Sequence, residues 1–185
     1  MKKTTPQFLA ALAVAGTALV SQLASAADNG DGTITFKGNI TAQTCTINGN
    51  GSGAKDFTVT LPTVAVTTLS TAGQTAGRTP FTIALTNCTP DSGNARAYFE
   101  PGVTTDGVTG NLKLDAGGAT NVQIGLLNGD LTEIKAGFAE ASQNSKSAPI
   151  SAGSATLPYF AQYVSTGTAT AGAADSSVMY TIVYQ

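Results

Sequence analysis

The two cysteines, Cys45 and Cys88, are the strongest candidates for covalent chemistry in this sequence. They do not form a Cys-x-x-Cys motif, and the sequence contains no histidine, so general-base and nucleophilic catalysis lack their usual side chains. In an exported chain, two cysteines most often pair with each other because the compartment is oxidising. We therefore predict an intramolecular disulfide rather than two reactive thiols.

Acidic side chains are the second candidates, because a pair of carboxylates can hydrolyse glycosidic bonds. The carboxylates in question are Asp106, Asp115, Asp130 and Glu133. They lie among glycine and threonine in segments typical of surface loops, so the sequence favours solubilising charge over catalysis. We therefore predict that the protein is not an enzyme.

Two further patterns match ligand-binding motifs only loosely. The run 49–54 fits Gly-x-Gly-x-x-Gly/Ala, but a strand-like segment follows it where a dinucleotide site needs a helix. The run 28–32 is similar to a calcium loop, but Gly30 occupies the third ligand position and Asn39 the twelfth, where glutamate is needed. A turn and a mobile arm explain these runs better, and we predict no cofactor and no metal.

The first 26 residues have the pattern of a secretory signal peptide. Lys2 and Lys3 precede an apolar run, and Ala24-Ser25-Ala26 provides the small-x-small cleavage pattern. The rest of the sequence has no apolar stretch near the roughly 20 residues of a transmembrane helix. The net charge is −2 and basic residues are not clustered, which argues against a nucleic-acid partner. The sequence predicts an exported protein that is not embedded in a membrane.

The remaining sequence predicts a single all-β domain. Short runs of alternating apolar and polar residues are separated by Gly, Asn, Asp or Pro, which is typical of a β-sandwich. A helical turn is also possible within 67–77. The predicted strands are 33–37, 40–47, 57–61, 81–86, 95–100, 111–114, 122–127, 157–164 and 177–184.

Residues 27–40 are predicted to form an arm separate from the domain 41–185. In an extended chain Ile34, Phe36, Gly38 and Ile40 share one face. The phase of this alternation breaks before Cys45, so residues 41–43 must contain a kink, a bulge or a change of sheet.

The final run 177–185 is apolar on both faces, which favours a strand buried on both sides. Periodicity alone does not distinguish an interior strand of a complete sandwich from a strand that needs an additional partner.

Taken together, the sequence resembles the type 1 fimbrial major subunits of the chaperone–usher pilin family. The resemblance spans nearly the whole chain, including the signal peptide and the arm. The motifs that carry it are the runs 41–47, 81–88 and 163–167, the glycine Gly172 and the penultimate aromatic residue Tyr184.

This resemblance implies an incomplete immunoglobulin-like β-sandwich that lacks its last strand and is completed by a donor strand from a neighbouring subunit. It implies donor residues Ile34, Phe36, Gly38 and Ile40. The implied residues of the groove and chaperone-binding strand are Gly172, Val178, Tyr180, Ile182, Tyr184 and Gln185.

The implied partners are identical pilin subunits in a head-to-tail polymer, a periplasmic chaperone and an outer-membrane usher. Export would pass through the periplasm to a fimbrium at the cell surface, where the rod supports adhesion. A minor adaptor or tip subunit and a secreted glycan-binding β-sandwich are the alternatives. Tip adhesins of the family carry an additional N-terminal domain and lack a donor arm, so the sequence favours a rod subunit.

Overall fold

The computed structural model describes residues 33–185. The predicted signal peptide, 1–26, and the start of the predicted arm lie outside the described residues. Residues 40–185 form one compact unit, to which residues 33–39 do not belong. Within the described part of the chain, no helix is long and apolar enough to cross a membrane.

The compact unit is built almost entirely from β-strands. A 3₁₀ helix, Val66–Leu69, and a short α-helix, α1 (Glu140–Gln143), are the helical elements of the described chain. The strands in chain order are β1 (Thr44–Gly49), β2 (Thr75–Thr89), β3 (Gly93–Phe99), β4 (Leu112–Lys113), β5 (Val122–Asn128), β6 (Glu133–Ile134), β7 (Ala148–Ile150), β8 (Ala155–Ser165) and β9 (Tyr180–Tyr184).

The strands form two antiparallel sheets. The larger sheet has the order β1-β2-β8-β5-β4, with β6 also paired to β5, and the smaller sheet has the order β7-β3-β9. The strand β9 therefore lies at one edge of the smaller sheet, paired to β3 from Ala95↔Tyr184 to Phe99↔Tyr180.

The core lies between the two sheets because alternate residues of β2, β8 and β3 point inward. Ala95 and Ala97 are completely buried, and their small side chains let the smaller sheet approach Tyr159 of β8. The Ala97 amide donates a hydrogen bond to the Tyr159 hydroxyl (3.1 Å), and the ring of Phe99 packs edge-on against Tyr159 at 5.4 Å. Burial raises the pKa of Tyr159, so its hydroxyl stays neutral at neutral pH.

Most of the predicted strands are present, with shifted ends. The predicted strands 81–86, 95–100, 111–114, 122–127 and 157–164 correspond to β2, β3, β4, β5 and β8. The very short strands β6 and β7 have no counterpart in the prediction. The predicted helical turn is found as the 3₁₀ helix, which begins one residue before the predicted range.

Four of the predicted strands need correction. No strand forms over 33–37, and the strand predicted at 40–47 begins only at Thr44. The segment Phe57–Leu61 belongs to no strand, and the last strand begins at Tyr180 rather than residue 177. The segments 33–37, 40–43 and 57–61 make no hydrogen bond between backbone groups among residues 33–185, whereas Met179 O, just before β9, still accepts from the Glu100 amide.

The disulfide between Cys45 and Cys88 is confirmed, with the two Cα atoms 4.1 Å apart. It lies at an irregularity between β1 and β2, where Thr44 pairs with Thr89 but Thr46 pairs with Thr86. The break in apolar phase that the sequence places at 41–43 is therefore accommodated at Cys45, close to the predicted position.

Removing this disulfide is expected to destabilise the subunit substantially. It closes a loop of 43 residues, which on the chain-entropy model corresponds to roughly 4 kcal/mol. The double variant Cys45→Ser/Cys88→Ser should show this loss in urea unfolding. Thiol labelling of the denatured, unreduced parent should give no signal, whereas the reduced parent should label twice; strong labelling before reduction would contradict the assignment.

Candidate functional site

The free edge of β9 presents unpaired backbone groups. Gln185 and Asn94 exchange two hydrogen bonds (2.8 and 2.9 Å), and the Glu100 amide donates to Met179 O (2.8 Å). In an antiparallel ladder alternate residues face opposite edges. The N–H and C=O groups of Tyr180, Ile182 and Tyr184 therefore point away from β3, and residues 33–185 provide no partner for them.

The same alternate residues point their side chains toward the core. Tyr180, Ile182 and Tyr184 are half-buried and pack against the core cluster, as does Val178 just before the strand. On the opposite face Met179 is 73 % exposed. The prediction that this strand is buried on both sides is wrong, because one face covers the core whereas Met179 and Thr181 on the other face are exposed.

A second row of apolar side chains comes from Phe57–Leu61. Phe57, Val59 and Leu61 are half-buried and pack against the core, whereas Thr58 and Thr60 are exposed. This is the alternation of a strand, but the backbone of this segment makes no hydrogen bond to any described residue. We refer to β9 with Val178 and to Phe57–Leu61 as the two walls of an apolar groove.

The two walls meet at Tyr180. Its ring lies 6.1 Å from the ring of Phe57, and its hydroxyl donates a hydrogen bond to Lys55 O (2.7 Å). Burial, with a smaller effect of the Asp56 carboxylate, raises the pKa of Tyr180, so the donating hydroxyl is neutral at neutral pH. Gly49 is needed here because a Cβ atom on it would lie 1.9 Å from the ring of Phe57.

The chain approaches itself closely at Gly172, ahead of β9. A Cβ atom on Gly172 would lie 2.6 Å from the Ala119 nitrogen, and the Ala119 amide donates to Ala173 O (2.7 Å). Beside this contact is a depression of about 350 Å³. Its apolar lining includes Val64, Val66, Leu69, Val122, Tyr163 and Ala169.

The substitution Gly172→Ala should therefore destabilise the segment that leads into β9. The added methyl group overlaps backbone atoms, and overpacking of this kind costs roughly 1–3 kcal/mol. Thermal unfolding of the folded subunit should show the loss, and the matched control Gly107→Ala, which places its Cβ in open space, should unfold like the parent. Equal unfolding temperatures for both variants would contradict this role.

The first residues of the compact unit, around Gln43, lie close to its last residue, Gln185. The side-chain amide of Gln43 donates to Pro90 O (2.6 Å). A Cβ atom on Gly93 would lie 3.1 Å from Gln185 O and 3.8 Å from the Gln43 side-chain oxygen. The segment that joins the predicted arm to the domain therefore lies beside the end of β9.

The apolar residues of the predicted arm are exposed in the single subunit. Ile34 is 79 %, Phe36 89 % and Ile40 100 % exposed, and an ideal Cβ on Gly38 would meet no atom within 4 Å. Three large apolar side chains within seven residues are unusual at a monomer surface and are typical of an interaction site.

Comparison with known proteins assigns the chain to a family. The family model described as type-1 fimbrial protein, A, matches residues 61–185. The chain belongs to this family. It is 51 % identical over 165 residues to the major fimbrial subunit SMF-1 of Stenotrophomonas maltophilia, covering 86 % of this chain and 95 % of that protein. It is 48 % identical over 161 residues to the F17 fimbrial protein of Escherichia coli, covering 84 % and 88 %.

The fold of this fimbrial subunit agrees with that of solved pilins. A chain of a chaperone–usher pilus superposes with a TM-score of 0.58 at 18 % identity, covering 85 % of this chain and 97 % of that one. The fold is an immunoglobulin-like sandwich that lacks its last strand, and the free edge of β9 lies where the smaller sheet ends.

The structure brings most of the candidate groove residues to one region. Val178, Tyr180, Ile182 and Tyr184 form one row along the groove, and Gln185 continues the pairing to Asn94. Gly172 lies ahead of this row. The sequence predicts an ordinary paired strand at Phe57, Val59 and Leu61, because their alternation does not indicate that the segment lines a groove.

Proposed function

We propose that this chain is a structural subunit of a fimbrial rod and that it polymerises by donor-strand exchange. One observation carries the proposal: the same chain has both a site that can accept a strand and a segment that can donate one. The unpaired edge of β9 lies beside a row of half-buried apolar side chains. Residues 34–40 are exposed and place an apolar side chain or a glycine at every second position. Each of these features lacks a partner within residues 33–185. The edge offers free backbone groups and apolar contacts, and the exposed segment can supply a backbone and apolar side chains to match them.

In the proposed joint, the arm of one subunit lies between the groove walls of the next. Its backbone pairs with the free N–H and C=O groups of β9, which is strand addition to a sheet edge. The side chains of Ile34, Phe36 and Ile40 fill the groove, and Gly38 fits where the walls leave no room for a side chain. Donor and acceptor are different surfaces, so the contact does not close and generates a filament.

Burial of the arm supplies the driving force for assembly. Burying a large apolar side chain contributes about 1.5–3 kcal/mol, and three such side chains are exposed in the single subunit. Pairing of the free backbone groups adds to this stabilisation. Assembly by this route needs no external energy source.

The same features make an unassembled subunit prone to aggregation, because it exposes both a strand edge and apolar side chains. We propose that a periplasmic chaperone first occupies the groove and that an outer-membrane usher then exchanges the chaperone strand for the arm of the next subunit. In this scheme residues 1–26 are the signal peptide for export. Residues 27–40 are the arm that donates a strand, and residues 41–185 are the pilin domain that accepts one. The product is a fimbrium on the cell surface that supports adhesion.

Among fimbrial subunits, the major rod subunit is the proposed assignment. The two relatives at 51 % and 48 % identity are named a major fimbrial subunit and a fimbrial protein, and each is covered over most of its length. The proposed role is mechanical, and the family of these relatives is one of structural pilins.

Chaperone binding should depend on the end of β9. The Tyr184 side chain is half-buried against the core next to the C-terminus, and the carboxylate of Gln185 can pair with basic residues of a chaperone. Tyr184→Ala, or an extension of several residues after Gln185, should lower the yield of chaperone-bound subunit several-fold in periplasmic extracts. Met179→Ala, on the exposed face, is the control, and an unchanged yield for Tyr184→Ala would contradict the assignment.

Negative-stain microscopy of cells expressing the subunit with its usher, with and without the chaperone, tests the function as a whole. Long fibres should form only when the chaperone is present. Fibres without it, or a soluble monomer that survives export without it, would contradict assembly by strand exchange.

A further inference from the structure

The second edge of the smaller sheet lacks a strand partner over half of its length. The strand β3 pairs with β7 only from Gly93 to Ala95. Ala97 and Phe99 point their backbone groups toward the same edge, but no strand within residues 33–185 lies beside them. Within residues 33–185, the backbone supplies this part of the edge with one hydrogen bond, from the Gly137 amide to Phe99 O (3.0 Å).

Side chains fill this second edge. The Ala97 amide donates to the Tyr159 hydroxyl (3.1 Å), and the Phe99 amide donates to the Gln143 side-chain oxygen (2.7 Å). The side-chain NH₂ of Gln143 donates in turn to Phe99 O (2.9 Å). One amide side chain thus makes with Phe99 the pair of hydrogen bonds that a residue of a neighbouring strand would make.

The position of Gln143 is fixed by the segment around it. Gln143 is 1 % exposed, its backbone oxygen accepts from the Lys135 amide (2.9 Å), and the Gly137 amide also donates to Phe99 O (3.0 Å). The following residue, Asn144, ends α1 in the left-handed conformation and donates its side-chain NH₂ to Glu133 O (2.8 Å). A leucine could make neither bond and would leave the Phe99 N–H without a partner, so the amide group itself is what this site uses.

We propose that Gln143 is an edge plug that keeps the unpaired half of β3 from accepting a second donor strand, so that the subunit accepts its donor strand at the β9 edge. This inference rests on the proposed strand exchange and deepens it. A subunit open at both edges of one sheet could take two strands, and its polymers would branch. With the second edge occupied by an amide, each subunit accepts one strand and the fibre stays linear.

The test counts the strands that one subunit binds. The chain without its first 26 residues is refolded in a large excess of a synthetic peptide of residues 28–41, and the complexes are weighed by native mass spectrometry. The parent should bind one peptide and remain monomeric. Gln143→Leu should bind up to two peptides and form edge-to-edge dimers. The control Glu140→Gln changes a residue of the same helix, α1, that pairs with Arg96 of β3, and it should behave like the parent.

Each outcome separates the plug from the proposed function. If the parent binds no peptide, strand exchange is contradicted. Whether Gln143→Leu forms dimers then still tests whether Gln143 blocks the second edge. A folded Gln143→Leu subunit that binds one peptide and stays monomeric overturns the plug.

A second variant covers the case in which Gln143→Leu does not fold. In Gln143→Glu the protonated side chain can replace the amide, whereas the carboxylate cannot donate to Phe99 O. Burial should raise the pKa of this carboxyl group, so one peptide should bind at acidic pH and a second only at alkaline pH. One peptide at both pH values would overturn the proposal.

Discussion

Fibres built from the Phe36→Ala subunit should release monomers in hot detergent at a clearly lower temperature than parent fibres. Phe36 is 89 % exposed in the single subunit, so its truncation leaves the fold of the subunit intact. In the proposed joint the ring is buried, and truncating a buried phenylalanine costs about 3–5 kcal/mol. The loss is repeated at every joint of the rod. The measurement is the fraction of monomer released as a function of temperature.

The two faces of the arm provide the controls for this experiment. Lys37→Gln and Thr33→Ser change only the face opposite to Phe36 and should leave the release temperature almost unchanged. Gly38→Leu should block assembly, because a large side chain would overlap the groove walls. If Lys37→Gln weakened the fibre more than Phe36→Ala, the assigned face of the arm would be inverted.

A subunit that lacks residues 28–38 should accept a strand but be unable to donate one. The compact unit Ile40–Gln185 contains both walls of the groove and does not include the deleted residues. Expressed alone with the chaperone, this subunit should accumulate as a soluble complex and form no fibres. Co-expressed with the parent, it can only be the first subunit of a fibre, because it accepts the arm of the next subunit but has no arm to donate to a preceding one. More fibres should therefore start, and the mean fibre length should fall as its share rises.

Microscopy of fibre lengths at several expression ratios measures this effect. Replacing Lys37 with glutamine in a full-length arm serves as the control and should not shorten the fibres. Fibres of normal length assembled from the truncated subunit alone would exclude the arm as the donor strand.

The sequence predicts a strand well when the strand contains a clear alternation of apolar and polar residues. The predicted strands 81–86 and 157–164 contain alternating apolar residues, and both lie inside longer strands of the larger sheet. Their inward residues, including Ile83, Leu85 and Leu157, are almost completely buried. Alternation identifies the face that meets the core, and in these strands both neighbours are present in the same chain.

The same pattern does not show whether a strand has neighbours. Phe57–Leu61 alternates like a strand but has no backbone partner among the described residues. The apolar residues on both faces of the last strand suggested burial on both sides, whereas Met179 is exposed and the free edge is open. A groove is defined by the absence of a strand, and local periodicity contains no signal for that absence.

Side-chain pairing with the backbone is also invisible to periodicity. Nothing in the sequence around Gln143 indicates that its amide pairs with Phe99, because the two residues are distant in the chain and belong to different elements. The arm is the opposite case. Its alternation and its break of phase before Cys45 are visible in the sequence, but the partner that we propose for it belongs to another molecule.

The most direct measurement places a photo-crosslinking phenylalanine analogue at position 36 in fibres assembled from equal amounts of light and heavy isotope-labelled subunits. Irradiation followed by peptide mass spectrometry identifies the attachment site and shows whether it lies on a second subunit. We expect mixed light–heavy crosslinks from position 36 to Phe57–Leu61 or to Val178–Tyr184. Crosslinks confined to one subunit, or attached outside both groove walls, would contradict donor-strand exchange through this arm.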